Sequence, residues 1–173
     1  MSIDKLHASH IGRVGVDFCI SAPSLKPNEV TTVLSIEPDR FANRGDERKN
    51  HAGQILSPHK EGFWLLGSKD KIYGELESKD INSHFMFLLK LLLPHRESIL
   101  RFAEGGETFF GVLWESTYLY AGTGPVISRE CIEGISLLRG GIGFDIYQIE
   151  ENEKRNTREF MSEAEQALGA DSP

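Results

Sequence analysis

Apolar residues between Ile81 and Ala103 recur at helical spacing. Ile81, Phe85, Leu88, Leu89 and Leu92 form one stripe, which Ile99, Leu100 and Ala103 continue. No other segment is both long and apolar enough to cover a sheet. The stretch from Ser78 to Glu104 is therefore the expected centre of the fold, with the strand candidates EGFWLLG before it and ETFFGVLW after it. Ser78 or Asp80 caps its start, and the sequence does not choose between them. Pro94 cannot donate to the carbonyl of Lys90 and its ring crowds that turn, which predicts a kink or break. Gly105-Gly106 ends the element.

Upstream, Val14, Val16, Phe18 and Ile20 alternate with Arg13, Gly15, Asp17 and Cys19, the pattern of a half-buried strand. A turn leads into a helix with Pro27 in its first turn, where a missing N–H costs nothing, and Glu29 beside it. Val30, Val33 and Leu34 form its apolar stripe, and it should stop near Ser35, before Pro38. From Pro38 to Lys60 the apolar pattern disappears. This reads as a long connection, with room for a short helical turn near Arg40–Ala42. Phe63 to Gly67 resumes as a strand, and KDKIYGELESKD follows as a turn or irregular insert.

Downstream, Glu107 to Ser116 alternates as a strand, with Phe110, Val112 and Trp114 on one side and Phe109, Leu113 and Glu115 on the other. A further strand is expected around Tyr118 to Ile127, interrupted at Gly122-Thr123-Gly124-Pro125. Ser128 caps a helix that should turn Ile132, Ile135 and Leu138 inward and stop at Gly140-Gly141. Ile142, Phe144 and Ile146 then alternate with Gly143, Asp145 and Tyr147 in a last strand. The expected class is α+β, a mixed, largely antiparallel sheet of about five strands with helices packed on one face. The similar plan of the strand–helix–strand units at either end raises the expectation of a pseudo-duplicated sheet. One domain spans 10–150, and the charged remainder, 151–173, forms a C-terminal helix or a solvated tail.

Composition changes this picture little: 39% hydrophobic and 26% charged residues among 173 are ordinary for a globular chain with a real core. The net charge of −7 argues against general nucleic-acid binding. Its distribution matters more. Through Lys60 there are eight Lys/Arg against seven Asp/Glu, and from Glu61 onward eleven against nineteen. The first ten residues lack the apolar run of a signal peptide, and Phe85–Leu93 is too short to span a bilayer. With two cysteines far apart, Cys19 and Cys131, a cytoplasmic, reducing setting is expected and no membrane partner.

Motifs that carry chemistry are missing from the sequence: no phosphate loop, dinucleotide fingerprint, HExxH or nucleophile elbow. The six histidines (His7, His10, His51, His59, His84, His95) lack ligand-like spacing and read as surface residues. Cys131 reads as a buried structural thiol. No catalytic residue, metal ligand set or cofactor is expected. Two constellations remain. On the outward sheet face, alternation groups Asp17, Asp145 and Tyr147, with Trp64 and Glu115 joining them, and paired carboxylates beside aromatics suit acid–base work or a cation. In the basic segment Asp39–Lys60, Arg40, Arg44 and Arg48 suit forked contacts to the carboxylates of an acidic partner protein.

The segments LSIEPDR, GFWLLGSK, LLKLLLPHRE and GFDIYQ together resemble a bacterial family, domain of unknown function 4279. The shared plan is a helix ending at Leu34-Ser35-Ile36 before Pro38, a strand start at Gly62–Trp64, a Leu-rich helix carrying Pro94, and a final Asp145-Ile146-Tyr147. It covers Arg13 to Gln148. The resemblance implies a small bacterial cytoplasmic protein and supplies no reaction. The expected function is a non-enzymatic protein-binding module, for example an immunity-type protein masking a partner. The alternative is a small-ligand or metal-binding sensor or enzyme using the open sheet face.

Overall fold

The alternating segment that begins at Arg13 becomes the middle strand of the sheet. A computed structural model describes residues 11–50, 52–68, 80–117 and 124–149. In chain order it runs β1 (Ile11–Ala22), α1 (Pro27–Leu34), β2 (Arg40–Ala42), β3 (Arg48–Lys49), β4 (Ile55–Leu56) and β5 (Gly62–Gly67). Then follow α2 (Ile81–Leu92), a 3₁₀ turn (Leu93–His95), α3 (Arg96–Phe102), β6 (Glu107–Ser116), α4 (Arg129–Leu137) and β7 (Gly141–Gln148). The main sheet has the order β2-β5-β1-β6-β7. All its pairings are antiparallel except β6 with β7, so the class is α+β with a mixed sheet. Among the described residues no helix is long and apolar enough to cross a membrane.

The stripe of α2 is buried as its spacing demands: Ile81, Phe85, Leu88, Leu89 and Leu92 lie against Val16, Phe18, Ile20, Phe110 and Val112 of the sheet. Asp80, not Ser78, caps α2 within the described residues, its carboxylate accepting from the N–H groups of Asn82 and Ser83. Pro94 breaks the helix into a 3₁₀ turn, after which α3 returns Ile99 to the core. Helix α1 ends at Ser35 in the left-handed conformation, as the approach to Pro38 required.

Several expectations are corrected. Val33 and Ile132 are exposed, at 43% and 51%. In α4 the inward face is centred on Cys131, Gly134, Ile135 and Leu138, because Gly134 lets the helix close onto Leu89; a Cβ there would stand 2.7 Å from Leu89 Cδ1. Ile132 falls one residue off that face. The left-handed residue that ends α4 is Arg139 (φ 54°) rather than a glycine, with Gly140 N–H bonding to Ile135 O in the usual reciprocal turn. Residues 124–127 form no strand, and 118–123 lie outside the described residues, as does the expected helix or tail over 151–173.

The sheet is not duplicated either. Both end units cross over between parallel strands, but β5 inserts between β1 and β2 whereas nothing separates β6 from β7.

The largest revision concerns Pro38–Lys60. Arg40–Ala42 is an edge strand, not a helical turn: Arg40 pairs with Leu65 and Ala42 with Phe63. The same antiparallel path continues outward. Gly45 and His59 exchange backbone hydrogen bonds through Asp46, Arg48 pairs with Leu56 and Lys49 with Ile55, and Asn50 receives Gln54 at the tip. The expected loop is one long hairpin arm whose legs begin as β2 and β5.

Candidate functional site

Strand register decides which side chains share the face away from the helices. Asp17 of β1 stands opposite Gly67 of β5 and Gly111 of β6, and Gly111 stands opposite Gly143 of β7. The next row holds Gly15, Leu113 and Asp145, and the row beyond it Glu115 and Tyr147. Asp17, Asp145 and Tyr147 are therefore all exposed on this open face, as alternation required. Asp17 and Asp145, however, are two strands and one row apart, about 12 Å by strand spacing and rise. They do not form a carboxylate pair that could share one proton or one cation.

Trp64 is not on this face. It pairs with Ile20, so it takes the helix side, is fully buried, and donates its indole N–H to Thr31 Oγ1 of α1 at 3.1 Å. Glu115 is engaged by Arg13. A register shift between Ile11 and Val14 frees the Arg13 N–H, which donates to Glu115 Oε2 at 3.2 Å while the guanidinium donates to both carboxylate oxygens. Hydrogen bonding to Glu115, then its charge, raises the Arg13 pKa against a small opposing effect of burial.

The carboxylates that do converge were not singled out by alternation. Asp39, just before β2, accepts the Gly67 N–H, and Asp17 Oδ1 lies over the same glycine; a Cβ on Gly67 would stand 2.8 Å from Asp17 and 3.2 Å from Asp39. Among the described residues no group of three or more His, Cys, Asp or Glu is placed to hold a metal ion. Cys19, one row over, has its thiol pushed up to about 11, by burial first and then by Glu107 and Asp17. It is protonated at neutral pH and a poor nucleophile.

Two buried polar side chains escaped the sequence reading. Ser68 and His84 are 1% and 0% exposed, and Ser68 Oγ lies 2.9 Å from His84 Nδ1. Val16 N–H donates to the same Ser68 Oγ at 2.9 Å, so the hydroxyl bridges the β1 backbone and the His84 ring. This ties the end of β5 to β1 and α2 at a point no solvent reaches, a structural role rather than a nucleophile–base pair. The surface reading of His84 is thereby corrected. Its signal was available, since position 84 falls within the Ile81–Leu88 stripe.

Elsewhere, a cavity of about 620 Å³ opens where α3 and α4 end and β6 begins, lined by Glu97, Arg101, Glu104, Glu107 and Arg139 among others. Its charges are of both signs and at the surface.

The three arginines sit along the arm. Arg40 shares a row with Leu65 and Cys19 at the edge of the open face. Arg44 is central in the tight turn Asn43–Asp46, where the Asp46 carboxylate accepts from Asn43 N–H at 2.7 Å and Gly45 takes a positive φ of 91°. Arg48 is on β3, farther out. All three are exposed, and among the described residues none is held in an ion pair, whereas neighbouring Lys49 pairs with Glu47 at 2.8 Å. The register spreads them along the arm rather than gathering them.

Comparison with known proteins gives one family model, Domain of unknown function (DUF4279), which matches residues 12–149. No curated protein and no solved structure matches the chain.

Proposed function

Because the chain belongs to the family described as Domain of unknown function (DUF4279), a description that names no reaction or ligand, we propose from its geometry a non-enzymatic protein-binding module that docks a partner through the hairpin arm. One observation carries this reading. The arm is an ordered two-stranded ribbon with almost nothing to bury: from Asn43 to Lys49 every residue is exposed, and Ile55 is 69% exposed. A two-stranded ribbon without a core is marginal by itself. A ribbon held in register yet bare on both sides presents side chains outward, and the arginines Arg40, Arg44 and Arg48 are what it presents. Each can fork onto a carboxylate, so the partner is acidic on the surface it offers. Masking of a toxin by an immunity-type protein is one instance of such docking.

The alternative, a small-ligand or metal site built from Asp17, Asp145 and Tyr147, has less support because the two carboxylates stand too far apart to act together. Affinity capture from the native host with the wild-type chain and with an Arg40→Ala/Arg44→Ala/Arg48→Ala variant tests the proposal. A partner recovered with the first and lost with the second supports it. Repeated recovery of the chain alone sinks it.

A further inference from the structure

The two edges of the sheet differ in kind. At one edge, β2 is three residues long and runs directly into the arm. At the other, β7 is eight residues long, carries Asp145 as its one charge, and has no Lys or Pro, the usual devices that blunt an edge. Phe144 and Ile146 are each 45% exposed and Tyr147 54% exposed. Among the described residues no strand pairs with its outer side.

We propose that β7 is a homodimer interface, pairing antiparallel with β7 of a second copy about a two-fold axis through Phe144. The strand's own sequence argues for this occupant. A closed two-fold pairing within one continuous sheet requires the axis to pass through a residue, because residues opposite each other must share a face. An axis at Phe144 sets Phe144 against its copy, Ile142 against Ile146, Gly143 against Asp145 and Gly141 against Tyr147. Every helix-side pair is then apolar. Every open-side pair sets a glycine against a larger side chain, so no two bulky groups meet on that face. An axis one residue along, at Asp145, would face carboxylate with carboxylate and is disfavoured. Parallel addition of a strand would leave a further edge open and build filaments instead of closing.

The pairing rests on no property of the arm, so it stands or falls separately from the docking reading. The test uses the full chain. Sedimentation equilibrium of the wild type should give a dimer, and Phe144→Lys should weaken association by about 30-fold or more, the scale of losing a central anchor. Because Phe144 is half exposed, that variant should still fold, with the wild-type circular dichroism spectrum. Its melting temperature should lose the rise with protein concentration that a dimer shows. Cysteine cross-linking then reads the register. Phe144→Cys should form a disulfide with its own copy, since directly opposed residues lie about 4.5–5.5 Å apart. Ile142→Cys and Ile146→Cys should each fail alone, their copies being about 13 Å apart along the strand, but should cross-link when mixed. A wild type that stays monomeric up to about 0.1 mM overturns the proposal. So does a dimer in which Ile142→Cys links to itself, or in which Phe144→Lys changes nothing.

Discussion

The ring of Phe109 on β6 lies across the α-carbon of Gly143 on the parallel neighbour β7, so that a Cβ at Gly143 would stand 2.4 Å from Phe109 Cζ. The same ring reaches Gly141, where a Cβ would be 3.2 Å away. These glycines are thus a seat for an aromatic ring that would otherwise stand in water. Gly143→Ala should cost about 1 kcal/mol by pushing the ring off its seat, and the cost should vanish in a Phe109→Ala background. A double-mutant cycle from urea melts measures this. Equal cost in both backgrounds would mean that the ring is not what the alanine meets.

Leu88 is fully buried between α2 and the sheet. Leu88→Ala should cost on the order of 2–5 kcal/mol in urea unfolding. A loss below about 1 kcal/mol would contradict the packing described for this helix.

Asp80 gives the pH dependence. Partial burial pushes its pKa up, but hydrogen bonds from the Ser83 hydroxyl and from Asn82 and Ser83 outweigh that and hold it below the ordinary value. A carboxylate whose folded pKa is depressed stabilises the fold above its unfolded pKa, about 3.9, and that contribution is lost as pH falls through the folded value. Asp80→Ala should therefore cost about 1 kcal/mol at neutral pH, the usual loss of a cap. The gap between wild type and variant should narrow below about pH 4. A gap that stays constant to low pH would rule out the ionised cap.

The central helix, the alternation of β1 and the Ser128 cap were legible because each is set by residues within a turn or two of one another. Trp64 was misplaced because GFWLLG is apolar on both sides; only its pairing with Ile20, 44 positions earlier, gives it a face. Ile132 was misplaced for a similar reason, since a small residue at 134 lets α4 approach Leu89 and so chooses the inward side. The arm was read as a loop because a ribbon exposed on both sides has no apolar alternation to find. Its register is held by backbone bonds and by Asn50 and Asp46 at its turns. Asp17 and Asp145 were rightly given one face, but spacing across strands is invisible to alternation along them.

The claim that most needs testing is that the arm's arginines dock a partner while holding nothing together. The direct measurement is the affinity of the captured partner for the wild type and for the Arg40→Ala/Arg44→Ala/Arg48→Ala chain, at low and high salt. Melting curves of both chains are recorded alongside. Exposed charges without structural partners shift stability by within about 0.5 kcal/mol each. The two curves should therefore nearly coincide, while the variant binds more weakly and the wild-type affinity falls as salt rises. A variant that unfolds, or that binds the partner with full, salt-independent affinity, would contradict the account.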